Sequence, residues 1–312
     1  MAVEFRQLGN SGLTVSVVGL GCNNFGVRCD EKQSEKVINA AIDSGITFFD
    51  TADIYGGRGG SETILGKVLN RRRDQVILAS KFGMDMGSSY KARGSRKYVR
   101  QAIEASLARL QTDYLDLYQF HEPDPLTPIE ETLDALDELV KEGKVRYIGC
   151  SNFSGWQIAE SEMLSRINNT ERFISAQNHY SLLEIGVEKE VIPACLKFGL
   201  GMLPFYPLAS GLLTGKFRKG VEPPAGTRMA GRRAELEGAN WSVVEALSEF
   251  AASLGASLLD VAISALAAKP AVSSVIAGAT RPEQVEANVR AIELKLSADD
   301  MRKVGEIIGS SI

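Results

Sequence analysis

Cysteine is scarce in this sequence of 312 residues, which has only four. No two of them have the CxxC spacing, and four cysteines in a chain of this length do not form a disulfide-dense scaffold. The first ten residues, MAVEFRQLGN, contain an acidic and a basic side chain and no apolar run, so no secretory signal is apparent. These absences predict a cytoplasmic protein.

An excess of either charge is also missing, since 35 lysines and arginines face 39 aspartates and glutamates and the net charge is −4. We therefore expect no nucleic-acid partner. One uncharged run of 18 residues, 198–215, approaches the length of a membrane-spanning helix, but it holds four glycines and two prolines. We expect a buried strand followed by a loop there, and no membrane partner.

The two common nucleotide-binding motifs are absent. After Gly19 and Gly21 the next glycine is Gly26, so the GxGxxG spacing that places a pyrophosphate at a helix N-terminus does not occur. Residues 60–67 miss the spacing of a phosphate-binding loop by one residue and lack the following Ser or Thr. A doubly wound dinucleotide-binding domain is therefore not indicated.

The sequence instead contains short apolar runs that alternate with amphipathic helical patterns, which is typical of repeated βα units. Parallel strands buried on both faces read as continuous apolar runs, and eight such runs favour a closed (β/α)8 TIM barrel. No linker or composition shift divides the chain, so we expect one domain over residues 1–312. The predicted barrel strands are 15–20, 47–50, 76–81, 115–119, 145–150, 173–177, 201–206 and 274–278.

Several further elements are predicted around the barrel. Residues 4–20 contain a hairpin turn at Asn10-Ser11-Gly12, and long loops over 83–95 and 215–239 follow strands three and seven. Helical faces occur over 96–110 and 281–291, an extra helix is expected at the C-terminal end, and Thr127 to Glu130 have the pattern of a capping box.

Three of the apolar runs end in ionisable residues. Asp50 ends the first and Tyr55 follows it, Lys81 ends the second, and His121 follows the third. Each residue alone is better explained by a structural role. In a βα barrel, however, the carboxyl ends of the strands meet at one face, so these side chains are predicted to form one catalytic site.

These residues belong to a series of motifs in which the chain resembles the aldo-keto reductases, in particular their bacterial, potassium-channel beta-subunit-like and general stress reductase branches. The motifs occur in order along nearly the whole chain, which makes the resemblance specific. They are DTADIYG from Asp50, VILASK ending at Lys81, DLYQFHEPD from Asp116, GCSNF from Gly149, AQNHYSLL from Ala176, PLASGLLTGK from Pro207 and AGATRPEQVEANV from Ala277.

The resemblance implies carbonyl reduction with Tyr55 as the proton donor. An ammonium about 4 Å away is worth roughly 4 kcal/mol at an effective dielectric near 20. Lys81 is therefore expected to lower the pKa of Tyr55 by at most about three units, before opposing desolvation. Asp50 is expected to keep Lys81 charged, and His121 to donate a hydrogen bond to the carbonyl oxygen of a small-molecule substrate.

The resemblance also implies NADPH as the cofactor, held by the later strand ends. Ser151, Asn152 and Gln177 are expected at the carboxamide and Tyr206 against the nicotinamide ring. Arg281 and Arg228 favour a 2′-phosphate, although Thr280 and Glu283 forming a capping box beside a solvated Arg281 is an alternative. The other implied cofactor residues are Asn23, Asp50, Pro207, Leu208, Ala209, Ser210, Lys216, Gly278, Thr280, Gln284 and Asn288.

Two departures from the family pattern stand out. Ala287 occupies a place where many members have Glu, which bears on the adenine contact, and the first strand loop, Cys22-Asn23-Asn24-Phe25, lacks a Trp common there. Two rival functions stay open. One is a cofactor-sensing regulatory subunit with little turnover, and the other is an aldolase with Lys81 as a Schiff-base nucleophile. We expect no bound metal, and the sequence leaves a homo-oligomer open.

Overall fold

The computed structural model describes residues 3–223 and 228–310 and contains ten strands in these ranges. Two of them form a separate antiparallel hairpin, and eight form one parallel sheet. The strands are β1 (Phe5–Gln7), β2 (Thr14–Ser16), β3 (Val18–Gly21), β4 (Phe48–Asp50), β5 (Ile77–Phe82), β6 (Leu115–Phe120), β7 (Val145–Ser151), β8 (Phe173–His179), β9 (Gly201–Phe205) and β10 (Val275–Gly278).

The eight parallel strands form a barrel. Strands β3 to β9 pair in chain order, and β10 returns to pair with β3. The remaining seam is joined by the segment before β10, where the Met202 amide donates to the Ala271 carbonyl at 2.7 Å and the Ser273 amide donates to the Met202 carbonyl at 3.0 Å. The predicted (β/α)8 TIM barrel with its N-terminal hairpin is confirmed.

The first predicted strand, 15–20, is wrong as a single element. Thr14–Ser16 pairs with Phe5–Gln7 in the hairpin, whereas Val18–Gly21 lies in the barrel. Val17 lies at the change of partner, because its amide donates to the Glu4 carbonyl beside the hairpin pairing while its carbonyl accepts from the Val275 amide of β10. The hairpin thus covers the N-terminal end of the barrel, where Leu8, Leu13 and Val15 pack against residues inside it.

Helices follow the strands as a βα barrel requires. Predicted helix 96–110 is confirmed, and helix 281–291 begins one residue later than predicted. The described helices are α1 (Glu31–Asp43), α2 (Tyr55–Arg58), α3 (Gly60–Leu69), α4 (Arg96–Leu110), α5 (Ile129–Lys141), α6 (Gly155–Asn168), α7 (Val191–Phe198), α8 (Arg233–Glu237), α9 (Trp241–Ser253), α10 (Leu258–Ala268), α11 (Pro282–Ala291) and α12 (Ala298–Ile308).

The predicted capping box at Thr127 is wrong. Helix α5 begins at Ile129 and has Pro128 at its N-cap, with no side-chain cap bond. The Thr127 hydroxyl donates instead to the Asp124 carboxylate at 2.7 Å. This charge-assisted hydrogen bond holds the hydroxyl away from the first-turn amides, from which a capping hydroxyl would accept.

The two long loops are placed as predicted, although the second is more structured than expected. Residues 83–95 contain no helix or strand, whereas the described part of 215–239 includes a 3-10 turn, Arg228–Gly231, and helix α8. Gly226 and Thr227 lie outside the described residues. Helix α9 was not predicted, and it packs on the extra C-terminal helix α12.

The uncharged run 198–215 contains the end of helix α7, strand β9 and a 3-10 turn, Ala209–Thr214, so the predicted strand followed by a loop is confirmed. Across the two described ranges, no single helix has the length and apolar character needed to cross a membrane. The pair α9 and α10 passes that test together by length and composition alone, with a bend of 94° between them.

We predict that Gly9→Ala destabilises the protein more than Gly255→Ala. Both glycines have positive φ, +58° and +67°, so each alanine costs about 1–2 kcal/mol from the left-handed backbone alone. A Cβ at Gly9 would also collide with the Gly199 carbonyl oxygen and lie 2.5 Å from the Gly201 amide nitrogen, whereas nothing lies within 4 Å of one at Gly255. This crowding should add about 1–3 kcal/mol.

Urea unfolding of the two variants and the wild type measures this difference. Equal losses of unfolding free energy in the two variants would show that the hairpin is not held tightly against the barrel at Gly9.

Candidate active site

The interior of the barrel changes from apolar to polar along the strands. Side chains two residues apart on a strand share a face, so Phe48 and Asp50 both point into the barrel, as do Ala79 and Lys81. Phe48 and Ala79, together with Leu8 of the hairpin, belong to the buried apolar cluster at the N-terminal end. The polar layer lies one step closer to the carboxyl ends, where active sites of such barrels are found.

Asp50 and Lys81 form a buried ion pair at the centre of this layer. The Lys81 ammonium lies 2.7 Å from Asp50 Oδ2 and donates to the Thr51 carbonyl at 2.8 Å. The Lys81 side chain is completely buried. Burial lowers the pKa of Lys81, but the Asp50 carboxylate and the Tyr55 hydroxyl outweigh it, and the net pKa of the ammonium is raised. Lys81 therefore stays charged.

Two glutamine amides complete the shell of Asp50. Its Oδ1 atom accepts from Gln119 Nε2 at 3.1 Å and from Gln177 Nε2 at 2.9 Å. Gln177 was predicted to bind the cofactor, whereas no role was predicted for Gln119. Gln119 lies directly opposite Lys81 in the register of β5 and β6, and it precedes His121 by two residues in the chain.

Tyr55 follows β4 and lies against both the ion pair and His121. The Lys81 ammonium is 4.9 Å from the centre of the Tyr55 ring, and the Tyr55 and His121 rings meet edge to face at 5.8 Å. Gly56 and Gly57 next to it have φ of 73° and 75°, a backbone that glycine adopts without strain. The structure thus brings all four predicted catalytic residues together.

The expected lowering of the pKa of Tyr55 is wrong for this arrangement. Burial raises the pKa of the Tyr55 hydroxyl, the Lys81 charge opposes that rise, and the net direction is upward. Desolvation disfavours the phenolate more than the neighbouring ammonium favours it. The hydroxyl is therefore protonated at neutral pH, as a proton donor must be.

His121 is held neutral. Burial, and secondly the Lys81 charge, lower its pKa to about 3. Its backbone carbonyl accepts from the Asn152 side chain at 2.9 Å, and its buried Nδ1 atom has no hydrogen-bond partner among the residues that the structure describes. A neutral imidazole carries one N–H donor and one acceptor, so it can bind a carbonyl oxygen without adding charge to the site.

A cleft of about 1200 Å³ opens above these residues at the carboxyl ends of the strands. It exceeds the volume of pockets for drug-sized ligands, roughly 300–1,000 Å³, and can therefore hold a larger ligand. Two predicted site residues, Lys81 and Ala209, do not line the cleft, and Lys81 is buried behind its wall. The Arg228 side chain is outside the described part of the chain. The predicted residues that line it are Asn23, Asp50, Tyr55, His121, Ser151, Asn152, Gln177, Tyr206, Pro207, Leu208, Ser210, Lys216, Gly278, Thr280, Arg281, Gln284 and Asn288.

Strained backbone occurs in the wall of the cleft and directly beside it. Asn152, Tyr206, Ala209 and Ser210 have positive φ between 46° and 60° although none is glycine. Such residues cost about 1–3 kcal/mol each and cluster at binding sites. The partly exposed Tyr206 ring lies edge-on to Phe205 and His179, at 5.3 and 5.8 Å between ring centres, and presents a flat surface at the cleft.

Three cations converge on the far end of the cleft. Lys216 and Arg281 were predicted, whereas Arg28 was not, and all three line the cavity. Burial lowers the pKa of Lys216, and the Arg281 and Arg28 charges lower it further. Arg281 is also the N-cap of α11, where the helix dipole favours negative charge. The site therefore fits a phosphorylated ligand.

The proposed capping box of Thr280 and Glu283 does not form. Gln284 takes that role, because its side-chain oxygen accepts from the Thr280 amide at 2.7 Å and lies 3.1 Å from the Thr280 hydroxyl. Asn288 on the following turn is buried. Gln284 thus fixes the start of α11 beneath the cationic end of the cleft.

Several residues that line the cleft were not predicted from the sequence. Asn24 donates to the Ala279 carbonyl at 3.2 Å and joins the first and last strand loops. Met84 and Glu122, from the loops after β5 and β6, also line the cleft. Their positions just after strand ends indicate that they lie near the site. Loop residues have no periodicity, however, so the sequence does not predict which of their side chains point into the cleft.

Comparisons with known proteins identify the family to which the chain belongs. The sequence model of the aldo/keto reductase family matches residues 17–308. The chain is 38% identical over 316 residues to a Bacillus subtilis protein named uncharacterized oxidoreductase YrpG, with 98% of this chain and 96% of that protein covered.

Two further relatives have more specific names. A protein of Oryza sativa subsp. japonica, named probable voltage-gated potassium channel subunit beta, is 36% identical over 309 residues, covering 94% of this chain and 92% of its own length. Versiconal hemiacetal acetate reductase of Aspergillus parasiticus is 31% identical over 337 residues, covering 97% and 96%. These similarities extend over all the strands that carry the site.

We predict that His121 does not titrate between about pH 8 and pH 5, because its pKa is lowered from 6.5 to about 3. An unfolded histidine binds a proton near pH 6.5, so below that value the unfolded state binds more protons than the folded one. As the pH is lowered through this window, the free energy of unfolding should therefore decrease, by at most about 1.4 kcal/mol per pH unit from this group.

Ring resonances of the two histidines in the chain, followed by NMR over this range, measure the effect. His121→Asn identifies its resonance by loss of the signal. A His121 midpoint above pH 5 would show that the imidazole is more accessible than its burial indicates.

Proposed function

This chain belongs to the aldo/keto reductase family and is an oxidoreductase, and from that premise we propose that it reduces aldehydes or ketones to alcohols with NADPH. The observation that carries the proposal is the contact of Tyr55 with both the Lys81–Asp50 ion pair and His121 at the base of the cleft. Carbonyl reduction needs a proton for the oxygen and a hydride for the carbon, and this group of residues can supply the proton.

Tyr55 is the proposed proton donor. Its hydroxyl is protonated before the reaction, and the phenolate left after proton transfer faces the Lys81 ammonium. That charge favours the product state of the transfer more than its start, which is how an electrostatic contact contributes to catalysis. Asp50 keeps the ammonium in place, and solvent protons restore the hydroxyl.

His121 orients the substrate in this proposal. A neutral imidazole N–H near Tyr55 donates to the carbonyl oxygen and stabilises the negative charge that develops there. When bound, the reduced nicotinamide cofactor supplies the hydride to the carbonyl carbon. The retained ion pair argues against the rival aldolase, because a Schiff-base lysine must lose its proton and the pKa of Lys81 is raised.

The preference for NADPH is proposed from the cationic end of the cleft. Arg281, Lys216 and Arg28 line it together, and a 2′-phosphate adds negative charge where like charges already oppose each other. The nicotinamide end fits Ser151, Asn152 and Gln177, which lie beside the catalytic group, and Tyr206 offers a flat surface for the ring.

We predict that Tyr55→Phe lowers kcat for an aldehyde such as methylglyoxal or nitrobenzaldehyde by about 10²–10⁴-fold, the usual contribution of a positioned proton donor. NADPH affinity, measured by fluorescence titration, should stay near wild type because the ring is retained. Tyr114→Phe is the control, since that ring packs between Arg73 and Arg146 away from the cleft. Wild-type turnover in Tyr55→Phe would remove Tyr55 from this role.

The same titration tests a second function. The relative named as a potassium channel beta subunit supports a cofactor-sensing regulatory subunit as the alternative. Tight NADPH binding without turnover over a broad panel of carbonyl compounds would favour that alternative, and turnover of any of them favours the enzyme.

We predict that Arg281→Ala weakens NADPH binding about ten- to a hundredfold and NADH binding only slightly, because one charge-assisted contact with the 2′-phosphate is lost. Arg290→Ala is the matched control on the same helix, since Arg290 is exposed and does not line the cleft. Parallel fluorescence titrations with both cofactors measure the ratio. Equal losses for the two would place the phosphate at Lys216 and Arg28 instead.

A further inference from the structure

Gln119 is a buried polar residue that the proposed reaction leaves without a role. Its side chain is completely buried in the barrel and does not line the cleft. Its Nε2 donates to Asp50 Oδ1 at 3.1 Å, and its Oε1 is 3.4 Å from Gln177 Nε2. Both ends of the amide are therefore engaged with residues of the site.

The contacts of Asp50 show what this amide does. A carboxylate can rotate about its Cβ–Cγ bond, and only one of its two oxygens, Oδ2, binds Lys81. The other oxygen is held by two amide donors, from Gln119 on β6 and Gln177 on β8. Two donors on Oδ1 fix the carboxylate plane, so Oδ2 keeps its direction toward the ammonium.

The charges around Asp50 make this support necessary. The titratable groups that face it are Lys81 from β5, Tyr55 from the segment after β4, and Cys22 from the end of β3. A buried ion pair is stable only when its remaining lone pairs and protons are hydrogen-bonded. Hydrogen bonds donated to a carboxylate also stabilise its charged form.

We propose that Gln119 is a positioning residue, which holds the Asp50 carboxylate so that the Lys81 ammonium stays aligned with Tyr55. It acts through Asp50 and touches neither substrate nor cofactor. The proposal rests on the proposed function for its effect on turnover, whereas its structural part, the coupling of Gln119 to Asp50, does not.

The test compares Gln119→Met with Tyr118→Phe. Methionine keeps the length of the side chain and removes the donor. Tyr118 is the neighbouring residue on β6, is fully buried, and its hydroxyl has no hydrogen-bond partner in the described ranges, so Tyr118→Phe removes a buried polar atom that does not contact Asp50.

For Gln119→Met we expect kcat to fall about ten- to a hundredfold, with KM for NADPH unchanged. Losses of this size occur in metalloproteins when a residue that hydrogen-bonds to a metal ligand and orients it is replaced. Tyr118→Phe should change neither kcat nor KM. An equal loss of kcat in Gln119→Met and Tyr118→Phe would reduce Gln119 to core packing and overturn the proposal.

A double-mutant cycle with Asp50→Asn tests the coupling. With Asp50 intact, Gln119→Met should lower Tm by about 2–6 °C. In the Asp50→Asn background it should cost less than about half as much, because hydrogen bonds to a charged group are roughly twice as strong. Additive losses of Tm would overturn the proposal.

The cycle in Tm needs no turnover. A wild-type protein that reduces no carbonyl compound would therefore end the proposed function, while the Tm cycle would still decide whether Gln119 acts on Asp50. Turnover in the wild type, together with additive Tm losses, would leave the reductase and remove the positioning role.

Discussion

Two opposite charges enclosed in the barrel impose the main constraint on this structure. Asp50 and Lys81 lose their hydration, and the pair depends on further hydrogen bonds from the protein to stay stable. The Thr51 carbonyl, Gln119 and Gln177 supply these bonds from different parts of the chain. The register of four strands, β4, β5, β6 and β8, is therefore set by one polar centre as well as by apolar packing.

That the four predicted catalytic residues lie together could be predicted because of how a parallel barrel is built. Apolar runs ending in Asp50, Lys81 and His121 were visible in the sequence, and the carboxyl ends of such strands meet at one face. Gln119 was not visible in the same way. It stands inside an apolar run, and only the pairing of β5 with β6, which places it opposite Lys81, gives its polarity a meaning.

Other differences between prediction and structure have physical causes that lie beyond local pattern. The run 15–20 is apolar nearly throughout, but its two halves pair with different partners, and periodicity does not report the partner. The pKa of Tyr55 was expected to fall because a charge at a given distance can be estimated in advance. The opposing desolvation depends on burial, which the sequence does not contain. Helix α9 was hidden by the Gly- and Pro-containing segment before it.

The two ends of the barrel differ, because the hairpin closes one and the cleft opens at the other. The hairpin covers the N-terminal end of the barrel, opposite the cleft, and its residue Thr14 is exposed. All four cysteines are buried and free, and burial raises the pKa of each thiol, so none is a ready nucleophile for an alkylating reagent. A single thiol introduced by Thr14→Cys would thus be the preferred point of attachment to a maleimide-coated electrode or bead. Molecules fixed in this way would all be oriented with the mouth of the cleft toward the solution.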